Sequence, residues 1–277
     1  MTRLLHFSLI AFLLSSCTFQ GLVYRNIDWL ATRRVNKMFD LNREQQRSFD
    51  PEIRRLVNEV KVIAVGGGIE VLGELQKVTA DDEFSKDDFL AVEKKLFRLY
   101  QQIVRHIVDD TARFYKALED QQLEHFQEKL AEGPKWLSSL AEADDKSFPK
   151  ELRKSLAKSQ ERYESWLGPL TKQQMEVQKE SWPSSPEEAQ AWLDDRHKQH
   201  AAFVQIVRKN SEEEFKKSLL AWAEDPKWLR QQAELGEDPR DFREFIFRLR
   251  ETFTPEQVQF LHKRAGELIK DLRSLES

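Results

Sequence analysis

Apolar residues recur along this chain at steps of three and four, the spacing that gathers them on one face of an α-helix. The longest run opens at Ser85, which with Asp88 makes an N-terminal cap signal, and continues through Phe89, Val92, Leu96, Leu99, Ile103 and Ile107. Phe114, Leu118, Phe126 and Leu130 fit an extension of it, and if unbroken to Ala131 the helix would hold about 46 residues, roughly 70 Å. Near the C-terminus Val258, Leu261, Ala265, Leu268, Leu272 and Leu275 fit a and d positions. Val23, Ile27 and Leu30 begin another run that leads to Met38 and Leu41. Leu152, Leu156, Tyr163, Trp166 and Leu167 form a further apolar set, bordered by Lys150, Lys154, Lys158 and Arg162, a basic stripe spaced four apart. The expected fold class is all-α: a multi-helix bundle of long amphipathic helices, each needing neighbours along its apolar face.

Start and stop signals fit that class. Thr171-Lys172-Gln173-Gln174 and Thr254-Pro255-Glu256-Gln257 put Thr at an N-cap and Gln three residues on, a capping box that closes two orphan backbone N–H groups. Pro255 suits the first helical position. Leu41-Asn42-Arg43-Glu44-Gln45 and Leu118-Glu119-Asp120-Gln121-Gln122 are related strings, and Ser185-Pro186-Glu187-Glu188 and Asp238-Pro239 are start signals of the same kind. Gly66-Gly67-Gly68 lies between two helical stretches. At about 1 kcal/mol per glycine against alanine, the triplet is expected to break or kink the helix. It has no G-x-G-x-x-G spacing, preceding strand or G-K-[ST] ending, so it is not a phosphate loop. Glu132-Gly133-Pro134-Lys135-Trp136-Leu137 recurs as Glu224-Asp225-Pro226-Lys227-Trp228-Leu229, an echo that a duplication into units of about 85–182 and 186–277 explains.

The N-terminus carries an address. Arg3 precedes an apolar run from Leu4 to Leu14 that fits the charged and apolar regions of an export signal and, at about eleven residues against the roughly 20 needed, is too short to span a bilayer. Leu14-Ser15-Ser16-Cys17 resembles the lipobox of bacterial lipoproteins, in which the cysteine is lipidated and becomes the first mature residue. Residues 1–16 are thus expected as the signal peptide, 17–21 as lipidated cysteine and short tether, and 22–277 as a periplasmic helical domain. Tyr24-Arg25-Asn26-Ile27-Asp28-Trp29-Leu30, with Phe39 to Gln45 after it, resembles an uncharacterised family of proteobacterial lipoproteins with all-helical bodies, most clearly over residues 17–80. That resemblance implies location and fold class and brings no catalytic residues. The Leu-Thr-x-x-Gln strings also resemble the motif of small periplasmic chaperones of the spheroplast-protein type, although helix capping accounts for them more simply.

Charge and composition narrow the functions. Cys17 is the only cysteine, so no disulfide supports the fold. Loss of Arg3 with the leader leaves a formal charge of −5, which excludes a generally basic nucleic-acid binder. The charge is uneven: Cys17 to Lys61 carries +3 and the remainder −8, and basic residues beside an anchor are attracted to anionic headgroups. Seven tryptophans, at 29, 136, 166, 182, 192, 222 and 228, are expected in cores between helices. Asp194, His197 and His200 are three apart and make a weak metal candidate, as does His106 with Asp109 and Asp110. Solvated polar faces account for both, so no metal and no cofactor are expected. With neither a serine elbow nor a glycine-rich loop, no catalytic apparatus is visible and the chain is expected not to be an enzyme. The expectation is a lipoprotein of the outer membrane facing the periplasm, with Thr18 after the cysteine where inner-membrane retention usually has Asp. Its partners would be the bilayer, through the anchor, and an unidentified envelope protein bound at a surface such as Lys150, Lys154, Lys158, Arg162 and Trp166. The alternative is a chaperone-like holdase for unfolded clients.

Overall fold

The computed structural model describes residues 17–81, 83–225, 227–233, 235 and 242–275, with residues 17–25 and 242 as backbone only. Leu14, Ser15, Ser16 and the Asp238-Pro239 signal lie outside them. Among the described residues there are twelve α-helices and no strand: α1 Cys17–Phe39, α2 Arg43–Val78, α3 Lys86–Lys116, α4 Asp120–Ala131, α5 Lys135–Ala141, α6 Phe148–Leu167, α7 Lys172–Glu180, α8 Pro186–Lys209, α9 Glu212–Glu224, α10 Trp228–Gln232, α11 Phe242–Arg250 and α12 Pro255–Arg273. The all-α multi-helix class holds. Residues 18–21, expected as a tether, lie within α1. No helix among the described residues is long and apolar enough to cross a membrane.

Two rods, α2 and α3, pack along each other, and the other helices attach to them. At one end α1, α4, α8, α9 and α10 meet α3 in an aromatic cluster. Phe39 stacks on Phe126 at 4.5 Å between ring centroids and stands edge-on to Phe114, while Tyr115 touches Phe203 and Phe215. At the other end α12 lies in the angle between α2 and α6. There Leu261, Ala265, Leu268 and Leu272 bury their a/d face against Val65, Leu72, Leu75 and Leu167, with Phe245 and Leu249 of α11 closing the cluster. Leu137, Leu140, Phe148, Trp192 and Leu193 make a third cluster where α5 packs on α6 and α8. A narrow seam of Ala64, Leu99 and Ile103 joins the rods between the ends.

Two expectations are corrected. The glycine triplet does not break the helix: α2 runs unbroken from Arg43 to Val78. The physical reason is close packing: a Cβ on Gly67 would sit 2.2 Å from Leu99 Cδ1, and one on Gly68 would sit 3.3 Å from Leu272 Cδ1. The missing side chains let α3 and α12 approach, and the apolar area buried there offsets the poor helix propensity. Conversely, the run from Ser85 to Ala131 is two helices. α3 ends at Lys116 and α4 restarts at Asp120, so apolar residues on both sides of the junction enter one cluster without sharing one axis.

The two echo helices behave alike. α5 and α10 are both short, both pack on α8, and Leu137 and Leu229 are fully buried.

Candidate functional site

Each Gln of the four capping strings does more than cap. Asn42, Thr171 and Thr254 accept from the backbone three residues on, and Gln45, Gln122, Gln174 and Gln257 accept from the cap backbone N–H. The amides then pair across the fold. Gln45 and Gln122 exchange Nε2-to-Oε1 bonds of 2.8 and 2.7 Å, and Gln174 and Gln257 exchange bonds of 2.6 and 2.9 Å. Spare amide hydrogens go to backbone carbonyls at the opposite helix start: Gln122 to Asp40, Gln174 to Thr252 and Gln257 to Pro169. A left-handed residue precedes the first box of each clasp, Asp40 (φ 48°) and Gly168 (φ 72°), turning the chain sharply into the next helix. The strings are thus internal clasps, with Gln174 wholly buried, and they pair the boxes 42 with 119 and 171 with 254.

The weak metal candidates are not brought together. His197 Nε2 meets the Ala131 carbonyl at 2.9 Å and Asp194 accepts from Gln190. His200 is buried, and no described residue bonds either ring nitrogen. Burial, and after it neighbouring Arg196, pushes its imidazole down to about 3, so it is neutral in the folded chain at ordinary pH. Beside it Asp195 takes Arg230 of α10 in a two-pronged bond of 2.6 and 3.1 Å and accepts from Gln199. In the second candidate, His106 faces Glu59, Asp110 pairs with Arg55 and Arg113, and Asp109 pairs with Lys216. The Arg55 hydrogen bond, then that of His106, holds the Glu59 carboxyl below its usual range. Among the described residues no three His, Cys, Asp or Glu groups are placed to hold a metal ion.

The expected interaction stripe is exposed: Lys150, Lys154, Lys158 and Arg162 all face solvent along α6, and Lys154 leans on Glu151 at 3.5 Å. Trp166 departs from the stripe and packs in the α2–α6–α12 cluster. Trp136, Trp182, Trp192, Trp222 and Trp228 also join clusters, as expected. Trp29 does not. It is 51% exposed, next to Leu30 at 38%, with the Arg33 guanidinium 5.4 Å from its ring centroid. Across the hairpin, Arg43, Gln46, Arg47, Asp50, Pro51 and Arg54 line a shallow open groove on α2. The Asn36 amide donates to Asp50 at 3.1 Å and brings the two rows together. Sequence reasoning saw the basic excess of residues 17–61 but not which residues form this surface. The available signal was the four-residue spacing of Arg43 and Arg47, continued by Asp50 and Arg54.

A family model described as a family of unknown function, DUF6279, matches residues 37–233. The chain belongs to that family. The matched span runs from the end of α1 to α10, so the Gln45–Gln122 clasp and the aromatic cluster are family territory, whereas the hairpin's Trp29 precedes it. No curated protein and no solved structure matches the chain.

Proposed function

We propose that this member of DUF6279 is a lipid-anchored protein of the bacterial outer membrane, facing the periplasm, which acts by holding a protein partner rather than by catalysis. One observation carries the reading. The lipobox Leu14-Ser15-Ser16-Cys17 ends where α1 begins, and α1 is fixed to the body at its far end by buried Phe39. An anchor built this way sets the orientation of the whole body, which suits presentation of one surface. The exposed cationic row on α6 is available for an acidic partner.

The holdase alternative is less well supported. The glutamines of its motif are occupied by each other, and among the described residues the large exposed apolar side chains, Trp29 with Leu30, Val62 and Phe260, lie on three different helices rather than in one continuous groove.

The test is in-cell crosslinking of the anchored protein followed by mass spectrometry. One partner in near-equal amount supports the adaptor; many unrelated envelope proteins, increasing under unfolding stress, would overturn it in favour of the holdase. Cys17→Ser tests the anchor separately, and is expected to move the protein out of the membrane fraction and remove the lipid mass from the N-terminal peptide.

A further inference from the structure

The α1–α2 hairpin carries two features that the core does not use. One is the Trp29, Leu30 and Arg33 group on α1. A half-exposed indole beneath a guanidinium has an apolar body and a charged neighbour, the combination that sits well at the level of lipid headgroups. The other is the row Arg43, Arg47 and Arg54 on α2, all exposed and, among the described residues, without an ion pair. Residues 29, 33 and 36 recur at helical steps, as do 43, 47, 50 and 54, and the Asn36–Asp50 hydrogen bond joins the two rows along one side of the hairpin. Asp28, Asp40, Glu44, Asp50 and Glu52 are the nearby carboxylates, yet Cys17 to Lys61 keeps +3 in a mature chain otherwise at −8.

We propose that this side of the hairpin lies flat on an anionic phospholipid surface, with Trp29 and Leu30 entering the headgroup layer and Arg33, Arg43, Arg47 and Arg54 bonding lipid phosphates. The proposal rests on the anchored reading above and adds an orientation to it. Trp29 is twelve residues from Cys17 along α1, about 18 Å of helix. An upright α1 would carry the indole that far from the bilayer, whereas a recumbent one holds anchor and indole at one depth.

The test uses the full lipidated protein in vesicles of phosphatidylcholine alone or mixed with phosphatidylglycerol, both carrying bromine-labelled acyl chains that quench nearby tryptophan. Quenching is expected in the mixed vesicles, weaker in phosphatidylcholine alone, and lost in Trp29→Phe, because the other six tryptophans stay within the body. Arg47→Ala with Arg54→Ala is expected to lower the docked-to-undocked ratio roughly fivefold per charge removed. Unchanged helical circular dichroism checks that each variant is folded. Quenching that survives Trp29→Phe, or that ignores phosphatidylglycerol and both arginines, overturns the proposal. So does a photocrosslinker at position 29 that joins a second copy or another protein instead of lipid. The mass of the Cys17 peptide separates the two failures: without lipid there, sedimentation with mixed vesicles still reports on the face while the anchor reading falls.

Discussion

The Gln257 side chain takes part in four hydrogen bonds at once: two with Gln174, one to the Pro169 carbonyl and one from the Thr254 N–H. Truncation leaves buried polar groups without partners, and each such group costs about 1–3 kcal/mol. Gln257→Ala is therefore expected to lower the unfolding free energy by roughly 3 kcal/mol in urea denaturation, and Gln174→Leu combined with Gln257→Leu by less than the sum of the two single changes. An additive double variant would show that the amides act independently. His200 makes a different prediction at this scale. Its folded pKa of about 3 lies below the ordinary 6.5, so in that interval the unfolded chain binds the proton that the folded chain refuses. The stability contribution is fully present above pH 6.5 and declines as pH falls toward 3, by roughly 2 kcal/mol at pH 5. His200→Leu should flatten that part of the stability–pH curve; an unchanged slope would assign it to other groups.

Among elements, α2 shows propensity overridden by packing. Gly66 has nothing within 4 Å of the place its Cβ would occupy, so Gly66→Ala is expected to raise stability by about 1 kcal/mol through helix propensity alone. Gly67→Ala gains the same propensity but drives a methyl against Leu99, and overpacking costs about 1–3 kcal/mol, so its net effect is expected to be neutral to destabilising. Thermal midpoints that rose equally in both would mean Leu99 turns aside freely. α10 is five residues long and is tied to α8 by the Asp195–Arg230 pair. Arg230→Met leaves the partly buried Asp195 carboxylate with Gln199 as its remaining donor, with an expected loss of about 1–3 kcal/mol in urea denaturation.

At the scale of the molecule, α2 and α3 reach from the aromatic cluster to the cluster around α12, so neither end has a boundary across which it could melt alone. Phe215→Ala, which removes a wholly buried ring from the aromatic end, is expected to cost about 3–5 kcal/mol. It should also leave unfolding as one transition, with aromatic and helical circular dichroism changing together. Two separated transitions would show that the ends are independent units. The arrangement also explains why the aromatic cluster was invisible as a group in the chain: Phe39, Phe126, Phe203 and Phe215 come from four helices and converge only after the rods align.

What the sequence determined by itself was whatever depends on neighbours a few residues away. Helical periodicity, the Ser85, Thr171, Ser185 and Thr254 caps and the a/d face of α12 are local, because backbone hydrogen bonds and side-chain direction repeat every turn. The restart at Asp120 was legible too, since Leu118 to Gln122 carries the capping string; apolar periodicity running across it masked the break. The tertiary structure alone decided which glutamines meet, at separations of 77 and 83 residues, and why three glycines sit inside a helix, because Leu99 and Leu272 arrive from elsewhere in the chain. It also decided that Trp29, alike in composition to six tryptophans that pack inside, stays at the surface. Burial is a property of the neighbours a residue acquires, and those neighbours are fixed by chain crossings that no local pattern encodes.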